Sequence, residues 1–139
     1  MHPILRNILA FLFGLFAGGL VNMALIYAGG ALLPPPPGVD VNDITSINAH
    51  IGEYSVLQLM VPFFAHAIGT LVGAFLVARL AASYQLVLAL VIGGLNMLGG
   101  IMAVTMIPNS PMWFNVLDLG VAYLPMAWLG HKLARPKAQ

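Results

Sequence analysis

The sequence predicts an all-α integral membrane protein, a four-transmembrane-helix bundle with a short amphipathic helix in its outer loop. Hydrophobic residues make up 60% of the chain and charged residues only 6%, whereas a soluble domain carries roughly 25% charged residues. So few charges cannot cover a water-facing surface, and the surrounding solvent is therefore a lipid bilayer. About 20 apolar residues are enough for a helix to cross it. Four segments reach this length within a single membrane domain, residues 1–139: they are 7–33, 57–80, 86–107 and 112–130.

Composition also excludes several classes of site. The chain has no cysteine, which rules out disulfides, thiolate metal sites and cysteine nucleophiles. Its net charge of +1 is too small to indicate a nucleic-acid partner. Phosphate-binding and dinucleotide-binding glycine patterns are absent. His66 is the one histidine inside a predicted span, and closed metal sites need three or four ligands. We therefore predict neither a metal nor a cofactor.

The placement of charge predicts the orientation in the membrane. With four spans, all five basic residues fall on one side: Arg6, Arg79, Lys132, Arg135 and Lys137. The opposite side carries only acidic residues: Asp40, Asp43 and Glu53. The positive-inside rule then places both termini in the cytoplasm and the loop 34–56 on the opposite side.

The first span, residues 7–33, carries a small-residue stripe. Gly14, Gly18 and Asn22 are spaced by four residues, which is the small-xxx-small packing pattern with an amide one turn further on. A signal peptide is the alternative, because Arg6 precedes an apolar run. The run is too long for the apolar region of a signal peptide, so we predict a span.

The loop 34–56 is the only long connection. Pro34–Pro37 end the first helix with a stiff polyproline run. Apolar residues then recur at helical spacing, with Asn42 or Asp43 available as the N-cap; they are Ile44, Ile47 and Ile51. This predicts a short amphipathic helix on the outer surface. Two roles remain open for it, a simple connector, as most loops are, or a lid over a polar site.

The second span, residues 57–80, concentrates its unusual residues on one face. Pro62, His66, Gly69 and Gly73 fall within an arc of about 60° on a helical wheel. A proline inside a helix cannot donate to the carbonyl four residues earlier. We therefore predict a kink at Pro62, an ionisable ring one turn later, and two smooth patches for helix packing.

The third and fourth spans show comparable stripes. In residues 86–107, Gly93 and Gly100 flank Asn96 on one face. In residues 112–130, Asp118 lies on the predicted inward face and Pro125 predicts a second kink. The glycines on these faces, like those of the first two spans, are predicted to serve helix packing, either within the chain or between copies of a homo-oligomer.

Each predicted span thus contributes one polar side chain at membrane depth: Asn22, His66, Asn96 and Asp118. At a rise of about 1.5 Å per residue, all four reach similar heights within about one turn. An ionised aspartate at the centre of a membrane helix costs about 2.5–3.5 kcal/mol on insertion scales. Asp118 is therefore expected to turn away from lipid and to pair with His66, the only other ionisable side chain at that depth.

A purely structural role is the plain alternative for these four residues. Polar side chains between membrane helices often act only as contacts worth about 0.6 kcal/mol each. Catalysis of the Ser-His-Asp type needs a serine near His66, and none lies at that depth. Thr70, one turn from His66, is a weak substitute. We therefore assign no catalytic residue, and an enzyme is less favoured than a non-enzyme.

Two functional hypotheses follow. The first is a small channel or carrier for a proton, an ion or a small polar solute, with His66 and Asp118 as the titrating pair and the two amides as coordinating groups. The alternative is a non-catalytic accessory or assembly subunit of a larger membrane complex, since the chain has no soluble domain. A membrane enzyme acting on a lipid or quinone is the third hypothesis, least favoured because no second catalytic group is visible.

Overall fold

A computed structural model describes residues 2–134 of the chain, all of whose regular elements there are helical. Arg135 and Lys137 of the predicted basic tail lie outside the described residues. A single-turn 3₁₀ helix, Ile51–Glu53, follows α2. The α-helices are α1 Pro3–Leu32, α2 Ile44–His50, α3 Val56–Leu80, α4 Gln85–Met106, α5 Met112–Val121 and α6 Leu124–Ala134.

Four helical segments are long and apolar enough to cross a membrane: α1, α3, α4, and α5 with α6 together. They run in alternating directions. We call the end of the bundle that contains the start of α1 and the turn 81–84 the terminal end. We call the opposite end, which contains the connection 33–55 and the turn 107–111, the loop end. α3 lies at the centre, with α1 along one side and α4, α5 and α6 along the others.

α1 begins earlier than the predicted Asn7, at Pro3. Proline suits the first helical turn, where its missing N–H would have no partner anyway. Arg6 and Asn7 lie inside the helix and bind the terminal end of the bundle. The Arg6 side chain donates to the carbonyl oxygen of Leu80 (2.7 Å), and the Asn7 amide oxygen accepts from the backbone N–H of Ala82 (2.8 Å). These polar residues cap the α3–α4 connection and do not mark the helix boundary.

The glycines of α1 and α3 meet within the chain. A Cβ on Gly18 would lie 2.6 Å from the carbonyl oxygen of Gly69, and one on Gly14 would lie 2.7 Å from that of Gly73. The two backbones are therefore in direct contact at both levels. Gly93 serves the same purpose between α4 and α6, facing Ala127. One chain is described, so self-association stays a prediction.

The fourth span differs from the single kinked helix predicted over residues 112–130. It consists of two helices separated at Ala122–Tyr123, and it continues to Ala134. Pro125 does not kink a helix interior, because it is the second residue of α6, where its missing N–H costs nothing. Its inability to donate to the carbonyl of Val121 interrupts the hydrogen-bond ladder upstream. By contrast, α3 is one continuous helix through Pro62.

The terminal half of the bundle is filled by small and branched apolar side chains. Val77 is fully buried and Ile92 is 1% exposed. The cluster consists of Ala10, Ala74, Val77, Ala81, Ala89, Ile92 and Ala127. Apolar packing thus fills most of the terminal half, where His131 of α6 is also buried.

At the loop end, α2 is held by its neighbours. Asp43 caps it by accepting from the backbone N–H of Thr45 (2.9 Å). Asn48 pairs with Asn109 of the α4–α5 turn through two hydrogen bonds of 3.0 and 3.2 Å. Ile51 is buried, whereas Ile44 is 44% exposed.

Replacing Gly18 by alanine is expected to destabilise the bundle by about 1–3 kcal/mol, the usual cost of forcing volume into a tight contact. The added methyl group would lie 2.6 Å from the carbonyl oxygen of Gly69, so the two helices must separate. Denaturant titration in mild detergent measures the free energy of unfolding. Gly30→Ala in the same helix is the matched control, because nothing lies within 4 Å of its methyl position. Equal stability of the two variants would contradict the α1–α3 contact.

Candidate functional site

Asp118 of α5 is the centre of the most polar cluster in the middle of the bundle. Its carboxylate is 5% exposed and contacts two side chains. His66 Nδ1 lies 2.8 Å from Oδ1, and the Tyr123 hydroxyl donates to Oδ2 at 2.7 Å. The same hydroxyl lies 3.0 Å from His66 Nδ1, and the two rings stack with centroids 5.7 Å apart. We call His66, Asp118 and Tyr123 the polar triad.

With the Tyr123 hydroxyl as donor to Asp118, one arrangement of protons satisfies all three contacts. Tyr123 has a single hydroxyl proton, which it donates to Asp118, so towards His66 its oxygen can only accept. His66 Nδ1 must then carry a proton, shared between Asp118 Oδ1 and the Tyr123 oxygen. A proton on Asp118 Oδ1 instead would leave two lone pairs facing each other at 3.0 Å between Tyr123 and His66. The geometry therefore fits an ionised carboxylate that accepts from both neighbours.

The break in the fourth span positions Tyr123. On a continuous helix, residue 123 would lie about 140° around the axis from Asp118, on a different face. The interruption at Ala122–Tyr123 brings the tyrosine back beside the carboxylate, where it is 2% exposed. Gly100 of α4 makes room for it, since a Cβ there would lie 2.6 Å from the Tyr123 hydroxyl oxygen. Gly100 was predicted to pack helices, and it packs against this one side chain.

A cavity of about 290 Å³ lies beside the triad, between α1, α3 and α4. Its polar lining comes from one level of the bundle: Asn22, His66, Thr70, Asn96 and Tyr123. Its other lining residues are small or apolar: Gly18, Gly19, Gly69, Leu95, Gly99, Gly100 and Ala103. Three of the four polar residues predicted to meet therefore face a common space. Asp118 does not line that space and reaches it only through His66 and Tyr123.

The two amides differ in how they are satisfied. Asn96 donates from its side-chain nitrogen to the Thr70 hydroxyl oxygen (3.0 Å), which fixes both across the α3–α4 contact. The Asn22 side-chain oxygen is buried and has no hydrogen-bond partner within residues 2–134. A buried acceptor without a donor costs about 1–3 kcal/mol. The Asn22 side chain lines the cavity, while its oxygen is buried in the wall and is not accessible from that space.

Sequence reasoning missed two of the polar groups of this site. Tyr123 was overlooked because a continuous helical wheel turns it away from Asp118. Pro125 was the available signal, since a proline in mid-span disturbs the residues before it. Thr70 was considered only as a nucleophile, but its hydroxyl accepts from Asn96. Across residues 2–134, no group of three or more histidine, cysteine or acidic side chains could hold a metal ion.

Gly100→Ala is expected to destabilise the protein by about 1–3 kcal/mol, because a displaced Tyr123 leaves the buried carboxylate short of a donor. The matched control is the adjacent Gly99→Ala, whose methyl position has nothing within 4 Å. Unfolding titrations of both variants in the same detergent give the difference. If Gly99→Ala destabilised the protein as much as Gly100→Ala, the position of Tyr123 would not depend on the absence of a side chain at residue 100.

Comparisons of the chain with models of known protein families, with curated proteins and with solved structures found no match.

Proposed function

We propose that this protein is a small membrane carrier in which occupancy of the cavity is linked to protonation of His66. The observation that carries the proposal is the 2.8 Å contact between His66 Nδ1 and Asp118. The imidazole ring that makes this contact also lines the cavity. Histidine changes charge near neutral pH more readily than any other side chain. A titratable ring between a fixed carboxylate and an open space is a proton-binding site.

The roles of the two triad partners follow from this geometry. With Nδ1 engaged by Asp118 and Tyr123, Nε2 is the ring nitrogen left to accept or release a proton. Asp118 orients the ring and balances the positive charge that forms on it, because an uncompensated buried charge costs several kcal/mol. Asp118 and Tyr123 are thus positioning residues, and His66 is the group that meets the solute.

A carrier fits the packing better than an open channel does. A channel needs a continuous polar path across the membrane. Here the terminal half of the bundle is filled by the apolar cluster around Val77 and Ile92, so transfer across it requires a conformational change. Broken helices at mid-membrane are characteristic of carrier binding sites, and the α5–α6 break lies beside the triad.

The charge distribution supports an orientation for this carrier. Arg6, Arg79 and Lys132 lie at the terminal end, and the acidic residues outside the spans lie at the loop end. By the positive-inside rule, we propose that the terminal end is cytoplasmic and that α2 lies at the opposite surface.

The alternative, an accessory subunit of a larger complex, is favoured by one observation. The buried residues of α1 are only Ala10, Gly14 and Gly18, so most of this helix faces lipid or a partner. An accessory subunit would bind a partner along α1 and move no solute alone.

The proposal is tested with purified protein in liposomes that contain a pH-sensitive dye. Gradients of three small solutes are applied in turn: cationic butylguanidinium, neutral butylurea and the permanently charged anion butanesulfonate. At least one is expected to drive proton movement. Asp118→Asn and His66→Gln should each slow it by at least roughly a hundredfold, since losing one partner of a buried charged pair costs about 3–5 kcal/mol.

His50→Gln is the matched control, because His50 lies at the loop end and contacts the backbone oxygen of Ser46. Thermal melting of each variant in detergent separates lost transport from lost folding. Proton movement that is absent with all three solutes, or unchanged in both well-folded triad variants, would refute the carrier.

A further inference from the structure

We infer that the cavity takes a small organic cation with an apolar tail, which enters sideways from the lipid and exchanges with the proton on His66. This inference rests on the proposed function and names its substrate class. Three features of the cavity carry it: the direction of its mouth, the unmet hydrogen-bonding groups on its floor, and its charge.

The mouth of the cavity opens between α1 and α4 at mid-height. These two helices touch each other far less than each touches α3. Cavity-lining residues on this side are exposed at the molecular surface: Gly19 of α1, and Leu95, Gly99 and Ala103 of α4. They lie well inside the spanning segments, so the opening faces hydrocarbon. A ligand that uses this route needs an apolar portion.

The floor of the cavity offers acceptors. Neutral His66 presents Nε2 as an acceptor, because Nδ1 carries the proton shared in the triad. The Asn96 amide oxygen is not used by its bond to Thr70. The Asn22 side chain also lines the cavity, with its oxygen buried in the wall. Two acceptors at one space suit a head group with several N–H donors.

The charge of the site favours a cation. The chain has four acidic residues, and Asp118 is the one that lies within a spanning segment. Among the described titratable residues, only His66 and Tyr123 line the cavity, and both contact Asp118; α1 and α4 contribute amides. With His66 neutral, the site therefore carries one negative charge.

One positive charge is enough to balance the negative charge of Asp118 and make the site electrically neutral. Protonation of His66 supplies it, and so does a bound cation. Both together would place an uncompensated positive charge in a low-dielectric interior, at a cost of several kcal/mol. When the cation enters, Nε2 gives its proton to water in the cavity, and that proton reaches the aqueous phase in the conformational change that opens the site, so the exchange is one for one. An alternating exchange of this kind is an antiport.

The size of the cavity limits the ligand. A volume of about 290 Å³ has room for about ten water-sized groups. A guanidinium or ammonium head with a short alkyl chain fits, with the head on the floor near His66 and the chain towards the mouth. Butylguanidinium is a suitable probe because its charge is permanent near neutral pH, as in arginine. Butylurea keeps the shape and part of the N–H donors, but it has a carbonyl oxygen in place of one NH2 group and carries no charge.

The first experiment compares these probes in the dye-loaded liposomes. We expect butylguanidinium to drive proton movement at least about tenfold faster than butylurea or butanesulfonate, the factor expected for about 1.4 kcal/mol of discrimination. In the pH range where His66 is protonated, the affinity for butylguanidinium should fall about tenfold for each unit by which the pH is lowered, because one proton competes with one cation.

The second experiment narrows the mouth without touching the triad. Gly99→Leu is expected to weaken butylguanidinium binding at least about tenfold while the titration of His66, followed by NMR, stays as in the unmodified protein. Gly94→Leu is the matched control. Both positions have nothing within 4 Å of a Cβ, but Gly94 does not line the cavity.

The outcomes separate the two proposals. Three results together support cation exchange: a preference for butylguanidinium, competition between this cation and protons, and weaker butylguanidinium binding in Gly99→Leu but not in Gly94→Leu. If butylurea or butanesulfonate drives proton movement equally well, the substrate class is wrong but the proton-linked carrier remains. If Gly99→Leu binds like Gly94→Leu, the lateral entry is wrong. If no solute moves protons, the carrier itself fails and cation exchange fails with it.

Discussion

A buried carboxylate that needs two donors determines much of this structure. Asp118 lies in the middle of a membrane-spanning segment, where an ion without partners is unstable. Its two oxygens are satisfied by residues from separate places, His66 on the central helix and Tyr123 at the break before α6. The break after α5 and the missing side chain at Gly100 are the local conditions that let the tyrosine reach it.

The same requirement divides the bundle into two halves with different properties. Around the triad, polar side chains from three helices border an open space that reaches the bundle surface between α1 and α4. Towards the terminal end, alanines and branched side chains close the interior. The glycine contacts between α1 and α3 link the halves, because they hold the helix that carries Asn22 against the floor of the cavity.

Much of this arrangement follows from sequence patterns, and the remainder depends on tertiary contacts. Apolar length predicts four spans, and the cost of an intramembrane carboxylate predicts that Asp118 seeks His66. Helical periodicity assumes an unbroken helix, so it misplaces Tyr123 and hides its contact with Asp118. Sequence patterns also place the start of the first span at its first polar residues. Arg6 and Asn7 lie inside α1 instead, because they bind the distant turn between α3 and α4. The partner of Asn96, Thr70, lies on another helix, beyond the reach of local pattern analysis.

The most direct test of the account is the protonation state of His66 in lipid bilayers, measured by ¹⁵N solid-state NMR. The account requires a proton on Nδ1 and none on Nε2 at alkaline pH, with Nε2 gaining its proton as the pH falls. Tyr123→Phe should shift the Nδ1 signal, since it removes one of the two groups that share that proton. A neutral ring with a bare Nδ1 and a proton on Nε2 would contradict the triad and the carrier mechanism built on it.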